Sequence, residues 1–420
     1  MKSAGAFALL LAFSAPAQAG DYTLDIAEGA VTVGGQREDS LTINGQVPGP
    51  LLRWKEGEDV TIHVNNHLDE TASIHWHGLL LPGEMDGVPG LNGFKGIPAH
   101  STFTYRFPIR QSGTYWYHSH SGTQEQDGLY GPIIIEPAAN DAVQADRDYV
   151  IVLSDFTTED PDRILRNLKV DSGYYNFGKR TVGDFFRDAE ANGLGATVKD
   201  RLAWADMRMD PTDLADVSQY SFLINGQSAK DNWTGLFNAG ERVRLRFINA
   251  SSMSFYDVRI PGLKMEVVQA DGQNVEPVPV DEFRIAVAET YDVVVTPPDD
   301  QAYTIFAEPL DRSGYARGTL APKAGMAGPL PDRKPRTILT MADMGMMEGM
   351  DHGSMNHDGM DMGAGEGMDH SRMKGMDHGE MAGMDHSAMP GMDHAATKHS
   401  VPKPQQSPPR GWADASCQAT

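Results

Sequence analysis

The chain has 420 residues, a formal net charge of −23 and a sequence pI of about 4.9. That acidity excludes nucleic acid as a natural partner, because a phosphate backbone calls for a basic face. The single cysteine, Cys417, excludes an internal disulfide, while 40% hydrophobic residues suffice for two or three packed domains.

Residues 1–19 read as a signal peptide. Lys2 is a minimal basic start, Ala6–Phe13 is a short apolar run, and Ala17-Gln18-Ala19 is a small-x-small cleavage site. No twin arginine precedes the apolar run, so the general secretory route is expected, with Gly20 as the first mature residue. No later stretch is long and apolar enough for a membrane span. The expectation is an exported, periplasmic protein.

Residues 20–140 read as an all-β domain. Short alternating runs recur at Tyr22–Ile26, Leu41–Ile43, Leu51–Trp54, Val60–Val64, Ile74–His77, Thr102–Phe107, Thr114–His118 and Ile133–Ile135. Turn chemistry separates them, as in Asn44-Gly45, Pro48-Gly49-Pro50 and Ser112-Gly113. In Val60-Thr61-Ile62-His63-Val64 the aliphatics face in, and His63 faces solvent with Thr61. His67 and His100 lie in polar turns and read as surface histidines.

Two stretches carry the chemistry: Ser73-Ile74-His75-Trp76-His77-Gly78 and Tyr115-Trp116-Tyr117-His118-Ser119-His120. In a strand, residues i and i+2 share a face about 6–7 Å apart, so each His-x-His presents two imidazoles side by side. Such a pair chelates one metal or bridges two, and imidazole suits copper, zinc, iron and nickel. Two pairs in one short domain point to a shared metal site.

The ordered series Asn44-Gly45-x-x-Pro48-Gly49-Pro50, Gly57-Glu58-Asp59-Val60, Asn66-x-Leu68, His75-Trp76-His77-Gly78, Met85-Asp86-Gly87, Gly113–His120 and Gly128-Leu129-Tyr130-Gly131 resembles the first cupredoxin domain of multicopper oxidases. Within that family it is most similar to the copper-resistance protein A group. The resemblance implies that His75 binds a type 2 copper and that His77, His118 and His120 bind a type 3 pair. It also implies that Asp86 is a catalytic carboxylate that helps deliver protons near the cluster; the alternative is a plain turn aspartate.

Residues 147–322 read as a second β-sandwich, with strands at Tyr149–Leu153, Phe222–Ile224, Val243–Asn249, Tyr256–Ile260, Met265–Ala270, Phe283–Val287, Tyr291–Thr296 and Tyr303–Ala307. Gly240-Glu241-x-Val243-x-Leu245-Arg246-x-Ile248-Asn249 and Ala270-Asp271-Gly272 are similar to the second cupredoxin domain of the same family. Residues 157–220 form an insert of helical character, and its Gly173–Arg180 run resembles the copper-resistance group. Met207 and Met209 in this insert read as packing or surface residues rather than Cu(I) contacts. No histidine falls between His120 and His352, so this domain cannot build a type 1 copper site, which needs Cys and His ligands.

A Gly/Pro-rich linker is expected over residues 323–340. Residues 341–395 then repeat the unit Gly-Met-Asp-His, giving the pairs Met350/His352, Met368/His370, Met376/His378, Met384/His386 and Met392/His394. Large aliphatics and aromatics are absent, so a disordered Met/His-rich tail is expected. Thioether sulfur selects Cu(I), while imidazole and carboxylate accept Cu(II), which makes each repeat a copper-binding unit.

Residues 396–420 read as a disordered, Pro-rich tail, and Cys417 lies between Ser416 and Gln418 rather than between histidines. The resemblance implies a third cupredoxin domain carrying the type 1 site and four more cluster histidines. Its motifs are absent from the sequence, so the type 1 site reads as missing and the chain as a truncated or frame-shifted member.

The expected fold is therefore all-β: two tandem cupredoxin-like β-sandwich domains followed by a disordered tail. The expected cofactor is copper, with type 2 and type 3 positions partly present. The expected partners are Cu(I)/Cu(II) ions, dioxygen if the chain is active, and a polypeptide that supplies the missing domain. Two functions follow from the resemblance. One is oxidation of Cu(I) or phenols coupled to reduction of dioxygen to water, in copper resistance. The other is non-catalytic copper sequestration in the periplasm.

Overall fold

The computed structural model describes residues 20–345, Gln219 excepted. Strands β1 (Gly20–Val33), β2 (Gln36–Ile43), β3 (Leu52–Lys55), β4 (Asp59–Asn66), β5 (His75–His77), β6 (Ser101–Pro108), β7 (Gly113–His118) and β8 (Tyr130–Glu136) make the first sandwich. Its sheets run β2-β1-β4-β6 and β3-β8-β7-β5. Pairing is antiparallel except for β1 with β4 and β3 with β8. Both sheets turn their apolar side inward, as strand alternation dictates. Val60, Ile62 and Val64 meet Leu24, Ile26, Trp54, Trp76, Tyr105 and Tyr117 in one buried cluster. His63, on the other side of β4, is half-buried rather than solvated, with Nδ1 3.0 Å from the Thr104 hydroxyl.

The second sandwich begins with β9 (Arg147–Phe156) and is interrupted by helices α1 (Pro161–Val170), α2 (Val182–Asn192) and α3 (Leu194–Asp206). Asp160 caps α1 by accepting from the N–H groups of Asp162 and Arg163, with Pro161 in the first turn. Thr181 and Asp184 form a capping box on α2. At Gly193 a φ of 87° separates α2 from α3. The insert thus has the helical character expected of it. Met207 follows α3, partly covered, and Met209 is exposed.

The sandwich resumes with β10 (Ser221–Ile224), β11 (Gln227–Ser228), β12 (Trp233–Leu236), β13 (Val243–Asn249), β14 (Tyr256–Arg259) and β15 (Met265–Ala270). It closes with β16 (Gln273–Val280), β17 (Glu282–Ile285), β18 (Thr290–Val295), β19 (Tyr303–Pro309) and β20 (Ala316–Ala321). One sheet has the order β11-β10-β9-β13-β18-β15-β16 and the other β12-β20-β19-β14-β17. Residues beyond β20 are tied down rather than loose. The Thr304 hydroxyl donates to the Pro329 carbonyl at 2.8 Å, Arg336 Nη1 to the Gly178 carbonyl at 2.7 Å, and the Leu339 N–H to the Pro211 carbonyl at 2.8 Å.

The two sandwiches meet along β7. Trp116 and Tyr130 of the first pack with Val152, Ile248 and Ala250 of the second in a separate buried cluster. Beside it, the Thr114 hydroxyl donates to Asp292 Oδ1 at 2.7 Å, and Asp292 Oδ2 lies 2.6 Å from Arg244 Nη2 and 3.1 Å from Arg246 Nη1. Backbones approach closely here: a Cβ on Gly113 would stand 2.3 Å from the Gly272 carbonyl oxygen. The first sandwich therefore holds β7 rigidly from one side while the second holds it from the other.

Candidate metal centre

β5 and β7 pair antiparallel, with His75 opposite His118 and His77 opposite Trp116. The two-residue period then places His75, His77, Trp116 and His118 on one face, while Trp76 and Tyr117 point into the core. His120, just past the end of β7, joins them: its ring centroid lies 5.0 Å from that of His75 and 4.9 Å from that of His118. All four histidines predicted from the sequence are thus brought together. Among the described residues, ligand atoms of His75, His118 and His120 all lie within 4.8 Å of one another.

His77 Nδ1 stands 3.2 Å from His118 Nε2. Two imidazole nitrogens on one ion, at bonds of about 2.0–2.1 Å and a tetrahedral angle, stand about 3.3 Å apart. The pair is spaced to share a cation without rearrangement.

Two of the other ring nitrogens, Nδ1 of His75 and Nδ1 of His118, have partners that bear on the tautomer. His75 Nδ1 lies 2.8 Å from the Asp86 carbonyl oxygen, which only accepts, so Nδ1 carries the proton and Nε2 keeps its lone pair. The Asp86 carboxylate is further off, with Oδ1 3.6 Å from the same nitrogen. This carbonyl reaches β5 because residue 87 is glycine: a Cβ there, at φ 82°, would stand 1.8 Å from the Ile74 carbonyl oxygen. On the other strand His118 Nδ1 lies 2.7 Å from Glu125 Oε2. Trp116 stacks on His118 at a centroid distance of 4.1 Å and an interplanar angle of 13°, and covers His77 at 5.1 Å.

Burial disfavours the imidazolium form at three of these histidines. It pushes His77 down to about 4, with the neighbouring imidazoles adding to the effect. It lowers His75 as well, against the opposing pull of the Asp86 carbonyl, and it lowers His120. Clustered imidazole nitrogens are what a borderline transition metal takes, and copper fits this all-nitrogen donor set. His67 and His100, by contrast, sit exposed beside Asp25 and Asp69. The repeat residues Met350, His352, Met368, His370, Met376, His378, Met384, His386, Met392 and His394 lie outside the described residues, as does Cys417.

Sequence reasoning named Asp86 for its side chain and missed that its carbonyl makes the contact. It also missed Glu125, which lies in the polar run Gln124-Glu125-Gln126-Asp127, where no periodicity marks one residue above the next. Trp116 was within reach, since the two-residue period already put it on the His118 face.

Two family models, both described as multicopper oxidase, match residues 25–140 and 147–324. Copper resistance protein A of Escherichia coli is 56% identical over 361 residues, covering 84% of this chain and 59% of that protein. A copper resistance protein A homolog of Pseudomonas syringae pv. tomato is also 56% identical, covering 80% of this chain and 57% of its own length. The chain thus spans somewhat more than half of the curated relatives it matches. The crystal structure of a laccase from Botrytis aclada superposes with a TM-score of 0.58 at 25% identity, over 76% of this chain and 56% of that one. With two cupredoxin-like sandwiches and both models matched in order, the chain belongs to the multicopper oxidase family.

Proposed function

We propose that this chain is an exported, periplasmic copper-binding protein that acts in copper resistance by the oxidase chemistry of its family. The observation that carries the proposal is the convergence of four histidines on one strand face, with His77 Nδ1 and His118 Nε2 at 3.2 Å. The names of the relatives, copper resistance proteins, support the physiological setting. In this reading residues 1–19 are the cleaved export signal.

When bound, copper would supply one-electron chemistry that links oxidation of Cu(I) or a phenol to reduction of dioxygen to water. The protein's own part is to hold and shield the site. His75 would present Nε2 at the type 2 position because its Nδ1–H is committed to the Asp86 carbonyl. His77, His118 and His120 would serve the type 3 pair, with Trp116 closing the face towards the second sandwich. Asp86, with Oδ1 3.6 Å from His75 Nδ1, would be the carboxylate that helps deliver protons, as the family resemblance implies. The type 1 site and the other ligands of a complete cluster fall to polypeptide outside residues 20–345. The Met-Asp-His repeats would concentrate copper in either oxidation state.

The test compares the mature chain with a His75→Ala/His77→Ala double variant. Copper uptake is measured by equilibrium dialysis, and dioxygen consumption after addition of Cu(I). The expected result is copper uptake that falls in the double variant and, once the polypeptide that supplies the missing cluster ligands is present, dioxygen consumption with the unaltered chain only. Uptake with no dioxygen consumption by either protein would favour sequestration. A chain that takes up no copper would refute both readings.

A further inference from the structure

We propose that Glu125 is the positioning residue for His118: its carboxylate accepts the Nδ1–H and so aims the Nε2 lone pair at the metal. This rests on the copper-site reading above. The two groups meet at 2.7 Å, with the His118 side chain 5% exposed and that of Glu125 25% exposed. The Ser119 carbonyl also lies near Nδ1, at 3.1 Å, but it belongs to the adjacent residue and makes the longer contact. The opposite nitrogen, Nε2, faces His77.

The loop that carries Glu125 is anchored on both sides. Gln124 Nε2 donates to Glu70 Oε1 at 2.7 Å and to the Thr71 carbonyl at 3.0 Å. Gln126 Nε2 donates to the Asp155 carbonyl of β9 at 3.1 Å, and Ser252 of the second sandwich donates to Gln126 Oε1. Glu125 is thus fixed between two glutamines, one tied to each sandwich. With Trp116 stacked on its ring, His118 is constrained in rotation by one neighbour and in tautomer by the other. A carboxylate behind a metal-ligating imidazole does this work in metal sites generally, and losing it costs about 10–100-fold in metal affinity.

Two variants separate positioning from simple space-filling. Glu125→Gln retains an acceptor of the same shape, whereas Glu125→Met fills the same space with none. Full-length variants are titrated with Cu(I) against a chromophoric chelator. The same titration on the His75→Ala/His77→Ala chain, which keeps the repeats, isolates the site's share. Copper-free chains with 15N-labelled histidine report the His118 tautomer directly through the nitrogen shifts.

The expected result is Glu125→Gln within about threefold of the unaltered chain and Glu125→Met weaker by about tenfold or more. His118 Nε2 should be unprotonated in the first and tautomerically mixed in the second. Unaltered affinity and shifts in Glu125→Met would overturn the proposal, leaving the Ser119 carbonyl as sufficient. So would a Glu125→Gln variant as weak as Glu125→Met, which would make the effect purely electrostatic. If the unaltered chain bound no copper, the copper reading would fail, while the nitrogen shifts would still decide the role of Glu125.

Discussion

His77 takes up a proton near pH 6.5 when the chain is unfolded, but only near pH 4 when it is folded. Between these values the unfolded chain binds more protons, so folding stability rises with pH there. Stability from this residue is complete above about pH 6.5 and is lost as pH falls towards 4. His75 and His120 shift in the same direction and add to the slope. Asp127, raised to about 6 mainly by burial, works in the opposite sense, so the histidine share must be isolated by difference. The expected outcome is that acidifying the copper-free chain from pH 7 to pH 4 lowers its melting temperature more than it lowers that of a His77→Gln variant. Thermal melts followed by circular dichroism check this, and parallel profiles would contradict it. The four histidines were legible because the strand period turns a His-x-His pattern directly into geometry. Glu125 was not, since a loop has no period, and the contact from Asp86 is made by a carbonyl, which every residue possesses.

Some buried strands were legible to the residue: β13 and β15 span the runs Val243–Asn249 and Met265–Ala270 read from the sequence. Others were legible only in their middle or at one end, as with β1, read as Tyr22–Ile26 but running from Gly20 to Val33. Four strands were missed, and each has a reason. β16, Gln-Asn-Val-Glu-Pro-Val-Pro-Val, is largely exposed and contains two prolines, which argue against a strand except at a sheet edge, where it lies. β12 is also an edge strand and holds Gly235, and β11 is two residues long. β20, Ala-Arg-Gly-Thr-Leu-Ala, is buried but has little β-propensity of its own. The expected linker over 323–340 shows the same limit. Glycine and proline correctly reported the lack of regular structure, but not the anchoring by Arg333 Nε and the Lys334 N–H, which donate to the Glu308 carboxylate at 3.4 and 3.3 Å, or by Arg336. A hydrogen bond to a charged group contributes about 1.5–3 kcal/mol. Arg336→Ala should therefore raise the rate at which a broad-specificity protease cuts near Ile338 and Leu339 by about tenfold. Equal rates would mean that the segment is held by its backbone contacts alone.

At the scale of the whole molecule, the junction between the sandwiches matters most, because β7 belongs to it and carries His118, with His120 just past its end. Asp292 is the hub, joining Thr114 to Arg244 and Arg246. Its removal takes one carboxylate from two buried guanidinium groups, but Arg244 keeps Asp141 at 2.7 Å and Arg246 keeps Asp148 at 2.7 Å, so the cost is that of buried donors left without an acceptor, about 1–3 kcal/mol. Asp292→Ala should lower the urea midpoint accordingly; a loss under about 1 kcal/mol would show that water enters and relieves the arginines. None of this network could be read from sequence, since Thr114 and Asp292 are 178 residues apart.

The confinement of all four imidazoles to one strand pair has a thermodynamic consequence. The donor set exists only in the folded first sandwich, so any ion that occupies it draws the folding equilibrium with it. At a free-ion concentration one hundred times the dissociation constant, that linkage adds about 2.7 kcal/mol. Metal supply then becomes a determinant of how long the polypeptide survives. If copper is that ion, a chain starved of it would be a softer substrate for proteases, and its abundance would track the copper supply.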